Sequence, residues 1–337
     1  MAEIVLGLGT SHGPQLKTTP EQWDERAVFD RASRTLVHRG EDHSWDSLRQ
    51  TREDFSRGNA APAREAAYAA SQRALDRLAE LTERARPDVV VIVSSDHKEI
   101  FGDELLAPFA VYWGDSVAHV PFSREDLERM APGLARAAVH DVPAEPIVRP
   151  CHPELAGRLL EQAAADGFDL AASRTLPAGR YRNHGLPHGW GYIYQRIVGE
   201  GSAVPLLPVF VNTFWEPNPP SAPRCYAFGQ TLARAIAGLP GGLRVAVVAS
   251  GGLSHFVIEE DLDRAFLTAL AEGDADHLRS LPAAVLRSGT SELRSWITVA
   301  GALADSPLTP ELVDYQPCYR TEAGTGTAMG FFAWHTP

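Results

Sequence analysis

The sequence predicts an α/β fold with a central mixed β-sheet covered by helices on both faces. Short apolar, β-branched runs alternate with longer helical patterns along the chain. Runs such as DVVVIVSS (88–95) and LRVAVVAS (243–250) are apolar throughout, which is typical of strands buried on both faces. With 337 residues, 44% of them hydrophobic, the chain can bury a sizeable core, and we expect a single domain over residues 1–337.

The elements follow from these runs in chain order. An apolar run that stops at a Gly-Pro turn, Gly13-Pro14, marks the first strand. The predicted strands are Ile4–Gly9, Val89–Ser94, Pro108–Tyr112, Leu170–Ser173, Leu206–Asn212 and Val245–Ser250. The predicted helices are Ala61–Ala85, Ser123–Ala138, Pro153–Ala165, Ala222–Ala237, Glu260–Glu272 and Ser291–Leu303.

One segment, residues 17–60, interrupts this alternation. It is polar, carries scattered aromatic residues and includes the charge-rich stretch RGEDHSWDSLRQTREDFSRG (39–58). We interpret it as a helical insertion or lid between the first strand and the long helix that follows.

Composition limits the classes of partner. The net charge of −12, from 43 acidic and 31 basic residues, argues against a nucleic-acid-binding surface, which needs a basic field. The three cysteines, Cys151, Cys225 and Cys318, lack CxxC spacing and argue against a disulfide framework or a thiolate zinc site. The start MAEIVLGLG lacks a signal-peptide pattern and no apolar run approaches the length of a membrane span. We expect a cytoplasmic protein with neither a nucleic-acid nor a membrane partner.

Histidines recur where predicted strands end. GTSHGPQL (9–16) places His12 after the first strand, VIVSSDH (91–97) places His97 after the second, and VASGGLSH (248–255) leads to His255. Ligands of open α/β sheets bind outside the carboxyl ends of the strands, so we expect these side chains to converge. Each also has a structural interpretation: His97 could pair with Asp96, and His255 could lie near a helix N-terminus.

Two further motifs complete the candidate set. NHGLPHGWGYIY (183–194) carries His184 and His188 in a Gly-Pro loop, and RSGTSELRSW (287–296) places Glu292 in the first turn of a helix. Glu292 could serve only as a favourable charge at that helix N-terminus. Two imidazoles and one carboxylate are also the ligand set of non-haem Fe(II) oxygenases, and the same set can hold catalytic zinc.

The ordered motifs resemble those of a known family. GTSHGP, SSDH, HGWGYIYQRIVGE, PVFVNTFWEPNPPSAPRCYAFGQTL, ASGGLSH, SGTSELRSW and GTGTAMG are similar to the class III (LigB-type) extradiol ring-cleavage dioxygenases. This is the superfamily of the protocatechuate 4,5-dioxygenase β subunit. The resemblance covers about residues 3–16 and 85–335, and the opening MAEIVLGLGTSHGPQL looks closest to the gallate and 3-O-methylgallate dioxygenase branch.

The resemblance implies roles for individual residues. His12, His97 and Glu292 would be the ligands of Fe(II), and His255 the catalytic acid–base. The second active-site histidine would be His188, which precedes GWGYIYQRIVGE, with His184 as the alternative or as a substrate-binding residue. In GTGTAMG, Thr325 falls where the family hydrogen-bonds a substrate carboxylate.

The implied activity is cleavage of the ring of a catechol-type diol, such as protocatechuate, gallate or 3-O-methylgallate, by O2 in aromatic catabolism. The family suggests a homodimer. The insertion at 17–60 has no counterpart in the short β subunit, and the small α subunit of the protocatechuate enzyme is absent from this chain. A zinc-dependent hydrolase with the same ligands and a non-catalytic relative are the alternatives. The aromatic residues Trp190, Tyr192, Phe214 and Trp215 fit either a ring-binding pocket or the core.

Overall fold

A computed structural model describes residues 1–177 and 185–337. Its strands are β1 (Glu3–Thr10), β2 (Leu36–His38), β3 (Glu41–His43), β4 (Val89–Ser94), β5 (Phe109–Tyr112), β6 (Ser116–His119), β7 (Ile147–Pro150), β8 (Ala171–Ser173), β9 (Leu206–Val211), β10 (Arg244–Ser250), β11 (His255–Val257), β12 (Thr309–Tyr319) and β13 (Thr325–His335). Its α-helices are α1 (Asp24–Ala32), α2 (Trp45–Thr51), α3 (Ala61–Ala85), α4 (Arg124–Arg129), α5 (Pro132–Ala138), α6 (Pro153–Ala165), α7 (His188–Ile193), α8 (Ala222–Ala237), α9 (Glu260–Glu272), α10 (Ala275–Ser280) and α11 (Leu293–Ala302).

The main sheet has nine strands in the order β11-β13-β1-β10-β4-β9-β5-β8, with β12 pairing to β13. The central strands β1, β10, β4 and β9 are parallel, whereas β13 is antiparallel to β1, β11 and β12, and β5 is antiparallel to β9. The predicted mixed sheet is therefore confirmed. Its carboxyl edge is formed by adjacent parallel strands, which is the geometry that brings their C-terminal loops together.

Helices cover both faces of the sheet, as predicted. Alternate residues of β4 point to opposite sides. Val91 belongs to the same buried cluster as Phe228 of α8 and Trp296 of α11, while Ile92 belongs to the cluster on the other face, with Leu78 of α3. All of these side chains are buried. The period of two along a strand explains why continuous apolar runs mark its central strands.

Some elements differ from the prediction. The predicted helix Ser123–Ala138 is two short helices, α4 and α5, because the chain is extended at Ala131 and Pro132 starts a new helix. The hairpin β12–β13 was not predicted, since β12 carries Pro, Glu and Asp residues that weaken the strand pattern. Glu292 ends a 3-10 turn, Ser288–Glu292, immediately before α11.

The segment 17–60 contains helices α1 and α2 and also the hairpin β2–β3, so it is only partly helical. It packs on the C-terminal hairpin. Arg320 donates two hydrogen bonds to Asp30 of α1, at 2.8 and 3.0 Å, and the Trp45 indole N–H donates to Thr321 Oγ1 at 3.0 Å. The insertion is therefore anchored to the main sheet.

Two global features concern thiols and membranes. Cys151, Cys225 and Cys318 are free and buried. Over the described ranges, no helix has both the length and the apolar composition to cross a bilayer.

Candidate active site

The carboxyl edge of the sheet brings four of the predicted residues together. His12 follows β1, His97 follows β4, and His255 lies beyond the loop that leaves β10. Because β1, β10 and β4 are neighbouring parallel strands, their C-terminal loops open into one space. Glu292 reaches the same space from the 3-10 turn before α11.

The Glu292 carboxylate lies between the three imidazoles. Its Oε1 is 2.7 Å from His97 Nε2 and 3.8 Å from His12 Nε2, and its Oε2 is 3.8 Å from His255 Nε2. Oε2 also accepts the Gly252 backbone N–H. Burial alone would raise the pKa of Glu292, but His255, His12 and the hydrogen bond from His97 outweigh it and hold that pKa well below its usual range. The carboxylate is thus ionised at neutral pH.

The tautomer of His12 follows from its hydrogen bonds. His12 Nδ1 lies 2.8 Å from Ser250 Oγ, and the Ser250 hydroxyl donates to the Gly189 carbonyl at 2.6 Å. The serine proton is already used, so Ser250 accepts and Nδ1 carries the imidazole hydrogen. Burial lowers the pKa of His12 well below its usual value, which keeps the ring neutral. The Nε2 lone pair therefore faces the site, as a metal ligand requires.

His188, unlike the neutral His12, carries a proton on both ring nitrogens. Its Nδ1 lies 2.5 Å from Glu99 Oε1, its backbone N–H donates to Glu99 Oε2 at 3.0 Å, and its Nε2 lies 3.1 Å from His12 Nε2. Burial alone would lower the pKa of His188, but the Glu99 carboxylate outweighs burial and raises it. Since His12 Nε2 has no hydrogen, His188 donates that bond, and both ring nitrogens of His188 carry protons.

His255 is held as a neutral base. Its Nδ1–H donates to the Leu253 carbonyl at 2.8 Å, so Nε2 is the unprotonated nitrogen and faces the Glu292 carboxylate. Burial lowers the pKa of His255 below its usual value. The ring packs against Gly289, where an added Cβ would overlap the His255 carbonyl and ring. Only glycine fits that position without displacing the histidine.

His97 lies on an unusual backbone. His97 and Lys98 have φ values of 46° and 63°, in the left-handed region that non-glycine residues rarely adopt. The Asp96 carboxylate accepts the backbone N–H groups of Ile100 and Phe101, at 3.1 and 2.8 Å, and so shapes the turn instead of pairing with His97. Strained backbone of this kind concentrates at functional sites.

The donor chemistry fits a divalent transition metal. His12 Nε2, His97 Nε2 and Glu292 Oε1 supply two imidazoles and one ionised carboxylate on one side of a cavity. Within residues 1–177 and 185–337, however, no group of three His, Cys, Asp or Glu side chains has the spacing of a metal site. The His97–Glu292 hydrogen bond accounts for this, because it joins two groups that a cation would separate. Metal ligation by these residues stays a prediction.

A cavity of about 350 Å3 lies over these residues. Its walls include apolar side chains, among them Phe122, Met130, Leu134, Phe214 and Trp215. This volume is in the range of small-molecule sites, which are usually apolar with a few polar groups. By contrast, Trp190 is fully buried and donates its indole N–H to the Ile92 carbonyl at 2.9 Å, so it belongs to the core.

The predicted substrate-binding residue Thr325 does not line the cavity. Thr325 is fully buried, and its hydroxyl donates to Asp30 Oδ2 at 2.7 Å; Thr327, two residues later, lines the cavity instead. His184 lies outside the described residues.

Sequence reasoning missed several polar residues of the cavity, namely Lys17, Arg26, Glu99, Asp141 and Arg320. Glu99, two residues after His97, could have been found as a carboxylate near a candidate ligand. The other four residues have no sequence pattern that marks them as functional. They reach the cavity only because segments that are distant in sequence fold together.

The chain is similar in sequence to known ring-opening dioxygenases. Residues 59–330 match the family described as the catalytic LigB subunit of aromatic ring-opening dioxygenase. The match covers well over half of the chain, so the protein belongs to that family. This confirms the family that the motifs predicted.

Several individual relatives are named as dioxygenases of aromatic diols. The chain is 30% identical to a 2,3-dihydroxyphenylpropionate/2,3-dihydroxicinnamic acid 1,2-dioxygenase of Rhodococcus jostii, over 50% of this chain and 44% of the relative. It is 30% identical to a gallate dioxygenase of Pseudomonas putida, over 45% of this chain and 46% of the relative. The chain thus spans less than half the length of these curated relatives. A solved structure of an uncharacterized Escherichia coli protein is similar over 98% of this chain, at a TM-score of 0.42 and 12% identity.

Proposed function

We propose that the protein is a non-haem Fe(II)-dependent extradiol dioxygenase that cleaves the ring of a catechol-type substrate with O2. The observation that carries the proposal is the meeting of two imidazole Nε2 atoms and one ionised carboxylate, with His255 and His188 beside them, in a single cavity. Membership of a ring-opening dioxygenase family supports it.

In this proposal His12, His97 and Glu292 hold Fe(II). When bound, Fe(II) supplies Lewis acidity and a redox-active template for the diol and dioxygen. His12 is already in the required tautomer, but its Nε2 accepts the hydrogen bond from His188 and must exchange that bond for the metal. For His97 to bind through Nε2, its hydrogen bond to Glu292 must break and the Nε2 proton must pass to Nδ1 or to solvent.

The remaining two histidines, His255 and His188, act in proton transfer. Neutral His255, with its bare Nε2, takes a proton from a diol hydroxyl as the substrate binds. Doubly protonated His188, held by Glu99, gives a proton to an oxygen that becomes negatively charged during ring opening. Two titratable groups whose surroundings push their pKa values apart make a natural base and acid.

The substrate is a monocyclic diol that the cavity can enclose. Relatives named for gallate and for 2,3-dihydroxyphenylpropionate support a ring with an acidic substituent. Protocatechuate and 3-O-methylgallate are further candidates. We place the reaction in cytoplasmic aromatic catabolism, with a homodimer as the expected assembly.

Oxygen uptake tests the proposal. Protein purified without oxygen and reconstituted with Fe(II) is mixed with a panel of catechols in an oxygen electrode. We expect one O2 consumed per diol and a new ring-fission absorption band. Zinc-loaded protein that hydrolyses esters or amides without O2 would support the hydrolase alternative, and bound metal without any turnover would support a non-catalytic relative.

Three substitutions separate the roles. His12→Ala and Glu292→Ala should lose bound iron, since each removes a ligand. His255→Ala should keep iron and diol binding but lose about 10²- to 10⁴-fold in kcat, as expected for a general base. Iron content by mass spectrometry and steady-state kinetics measure both effects. His335→Ala, which removes a partly buried imidazole bonded to Glu311 and outside the cavity wall, is the control. Normal turnover by His255→Ala would contradict the assigned role.

A further inference from the structure

Arg26 lies in the wall of the same cavity and comes from the insertion. It is on helix α1, and its Cγ lies close to Gly133 at the start of α5, where an added Cβ would come within 2.9 Å. The Nε atom is buried and, in the described part of the chain, has no hydrogen-bond partner. A buried N–H without a partner costs free energy, so this group is available for an acceptor that enters the cavity.

The other arginine and lysine in the cavity wall already have counterions. Lys17 Nζ lies 2.6 Å from Asp141 Oδ1, and both side chains are buried. Arg320 is 1% exposed and is bound at two points by Asp30. Among the described residues, Arg26 has no such ion pair, so it is the cavity cation whose charge is left uncompensated.

The charge on Arg26 persists at neutral pH. Burial, with the nearby Arg320 guanidinium, lowers the pKa of Arg26 to about 10, and Asp30 opposes the change without forming an ion pair. A guanidinium binds a carboxylate through two parallel N–H···O bonds, which makes it suited to an acidic ligand.

We propose that Arg26 binds the carboxylate of an acidic diol substrate and so sets the specificity of the cavity. This inference rests on the proposed dioxygenase function. Among the described wall residues, the cavity offers one cation without an ion pair, Arg26, beside the apolar side chains of Met130 and Leu134. The apolar wall receives the ring or its methylene substituent, and the guanidinium receives the acid. Thr327, which is 4% exposed and lies in the same wall, offers a hydroxyl as a second donor.

The test compares matched substrates on Arg26→Met. The acids are 3,4-dihydroxybenzoate and 3-(2,3-dihydroxyphenyl)propionate, and their uncharged counterparts are 4-methylcatechol and 3-propylcatechol. We expect Arg26→Met to lower kcat/KM for an acid about 30-fold or more, the loss typical of a buried charge pair. For the uncharged diols the change should stay within about threefold, because Met preserves the apolar stem. Arg26→Lys should recover part of the loss.

A matched control comes from the same helix. Arg31 is exposed and pairs with Glu322 at 3.0 Å outside the cavity, so Arg31→Met should change neither kind of substrate. Unchanged discrimination in Arg26→Met, or an equal loss for acids and uncharged diols, would overturn the proposal. The uncharged diols thereby also report whether the variant is folded.

Binding separates this proposal from the function on which it rests. Calorimetry without oxygen, on Fe(II)-loaded protein, measures the dissociation constants of the same acids and uncharged diols. Acid-specific weakening in Arg26→Met, with no O2 uptake by the unaltered protein, would support the role of Arg26 and refute the dioxygenase. O2 uptake by the unaltered protein, with equal dissociation constants for the acids in both proteins, would support the dioxygenase and refute the role of Arg26.

Discussion

At the residue scale, one cavity holds two histidines with opposite protonation. Glu99 raises the pKa of His188 against the effect of burial, whereas burial lowers the pKa of His255. The difference arises because the Glu99 carboxylate accepts hydrogen bonds from both the ring Nδ1–H and the backbone N–H of His188. The acid and base assignments therefore depend on Glu99 as much as on the histidines.

Glu99→Gln tests this dependence. The amide can still accept a hydrogen bond from His188 but carries no charge, so the pKa of His188 falls. His188 then loses its proton at lower pH, and we expect the alkaline limb of the kcat profile to move to lower pH, with a loss of about 10-fold or more at pH 8. Initial rates from pH 5.5 to 9 measure this.

The control for that profile is Glu104→Gln, in the same loop, whose carboxylate accepts only a backbone N–H from Gly102 among the described contacts. Iron content should stay unchanged in both variants. Superimposable pH profiles for Glu99→Gln and the unaltered protein would contradict the role of Glu99.

At the element scale, the insertion is part of the structure as well as of the site. Helix α1 supplies Asp30 to the buried Arg320 and Arg26 to the cavity. Deleting residues 17–60 would leave Arg320 unpaired, so a loss of activity after deletion would not by itself show a lid. The lid stays a proposal, and single substitutions within the insertion are the better test.

Asp30→Asn should destabilise the fold strongly. The change leaves the charge of Arg320, which is 1% exposed, without its counterion, at a cost of about 3–5 kcal/mol. Urea unfolding followed by fluorescence measures the loss. Asp46→Asn, in the same insertion, is the control: that side chain is 68% exposed and its ion pair with Arg34 spans 3.9 Å, so we expect a change below about 0.5 kcal/mol. Equal unfolding midpoints for Asp30→Asn and the unaltered protein would refute this account.

The hydrophobic pattern of the sequence predicted the strands and helices whose apolar residues form continuous or regularly spaced runs. The central strands β1, β4, β9 and β10 were found because both of their faces are buried, and apolar spacing found α3 and α8. Strand β12 was missed because it is only partly buried and mixes apolar with charged residues. Strand β13 was missed although almost all of it is buried, because Thr and Gly residues interrupt its apolar pattern. The strand-end histidines were visible for a related reason: a polar residue that ends an apolar run stands out. Arg26 and Arg320 were not visible, since only tertiary packing brings them to the cavity.

At the scale of the whole molecule, stability should depend on a carboxyl far from the surface. Asp263 of α9 is fully buried and accepts hydrogen bonds from Ser254 and Tyr315. Burial raises the pKa of Asp263 from 3.8 to about 7. The folded protein binds a proton that the unfolded chain has lost above pH 4, so this contribution to stability is complete at low pH and disappears as the pH rises through 7.

Asp263→Asn should remove this pH dependence, because an amide does not titrate. We expect the free energy of unfolding to fall less steeply between pH 5 and 8 in the variant, as measured by urea titrations at each pH. Asp261→Asn changes an exposed carboxylate of the same helix and should leave the slope intact. If Asp263→Asn retained the full slope, another group would have to account for it.

The pairing of β13 with β1 has a consequence for biosynthesis. Gly7 to Thr10 of β1 pair with Phe331 to Trp334 of β13. One edge of the first strand therefore has no partner until about 320 further residues have been synthesised. At translation rates of about 5–20 residues per second, that interval is roughly 15 to 65 s. Throughout it, the strand that carries His12 presents unpaired backbone groups to other nascent chains and to chaperones. Arg320 lies just before β13 and Thr327 lies within it, so the cavity also stays incomplete until that strand has been made.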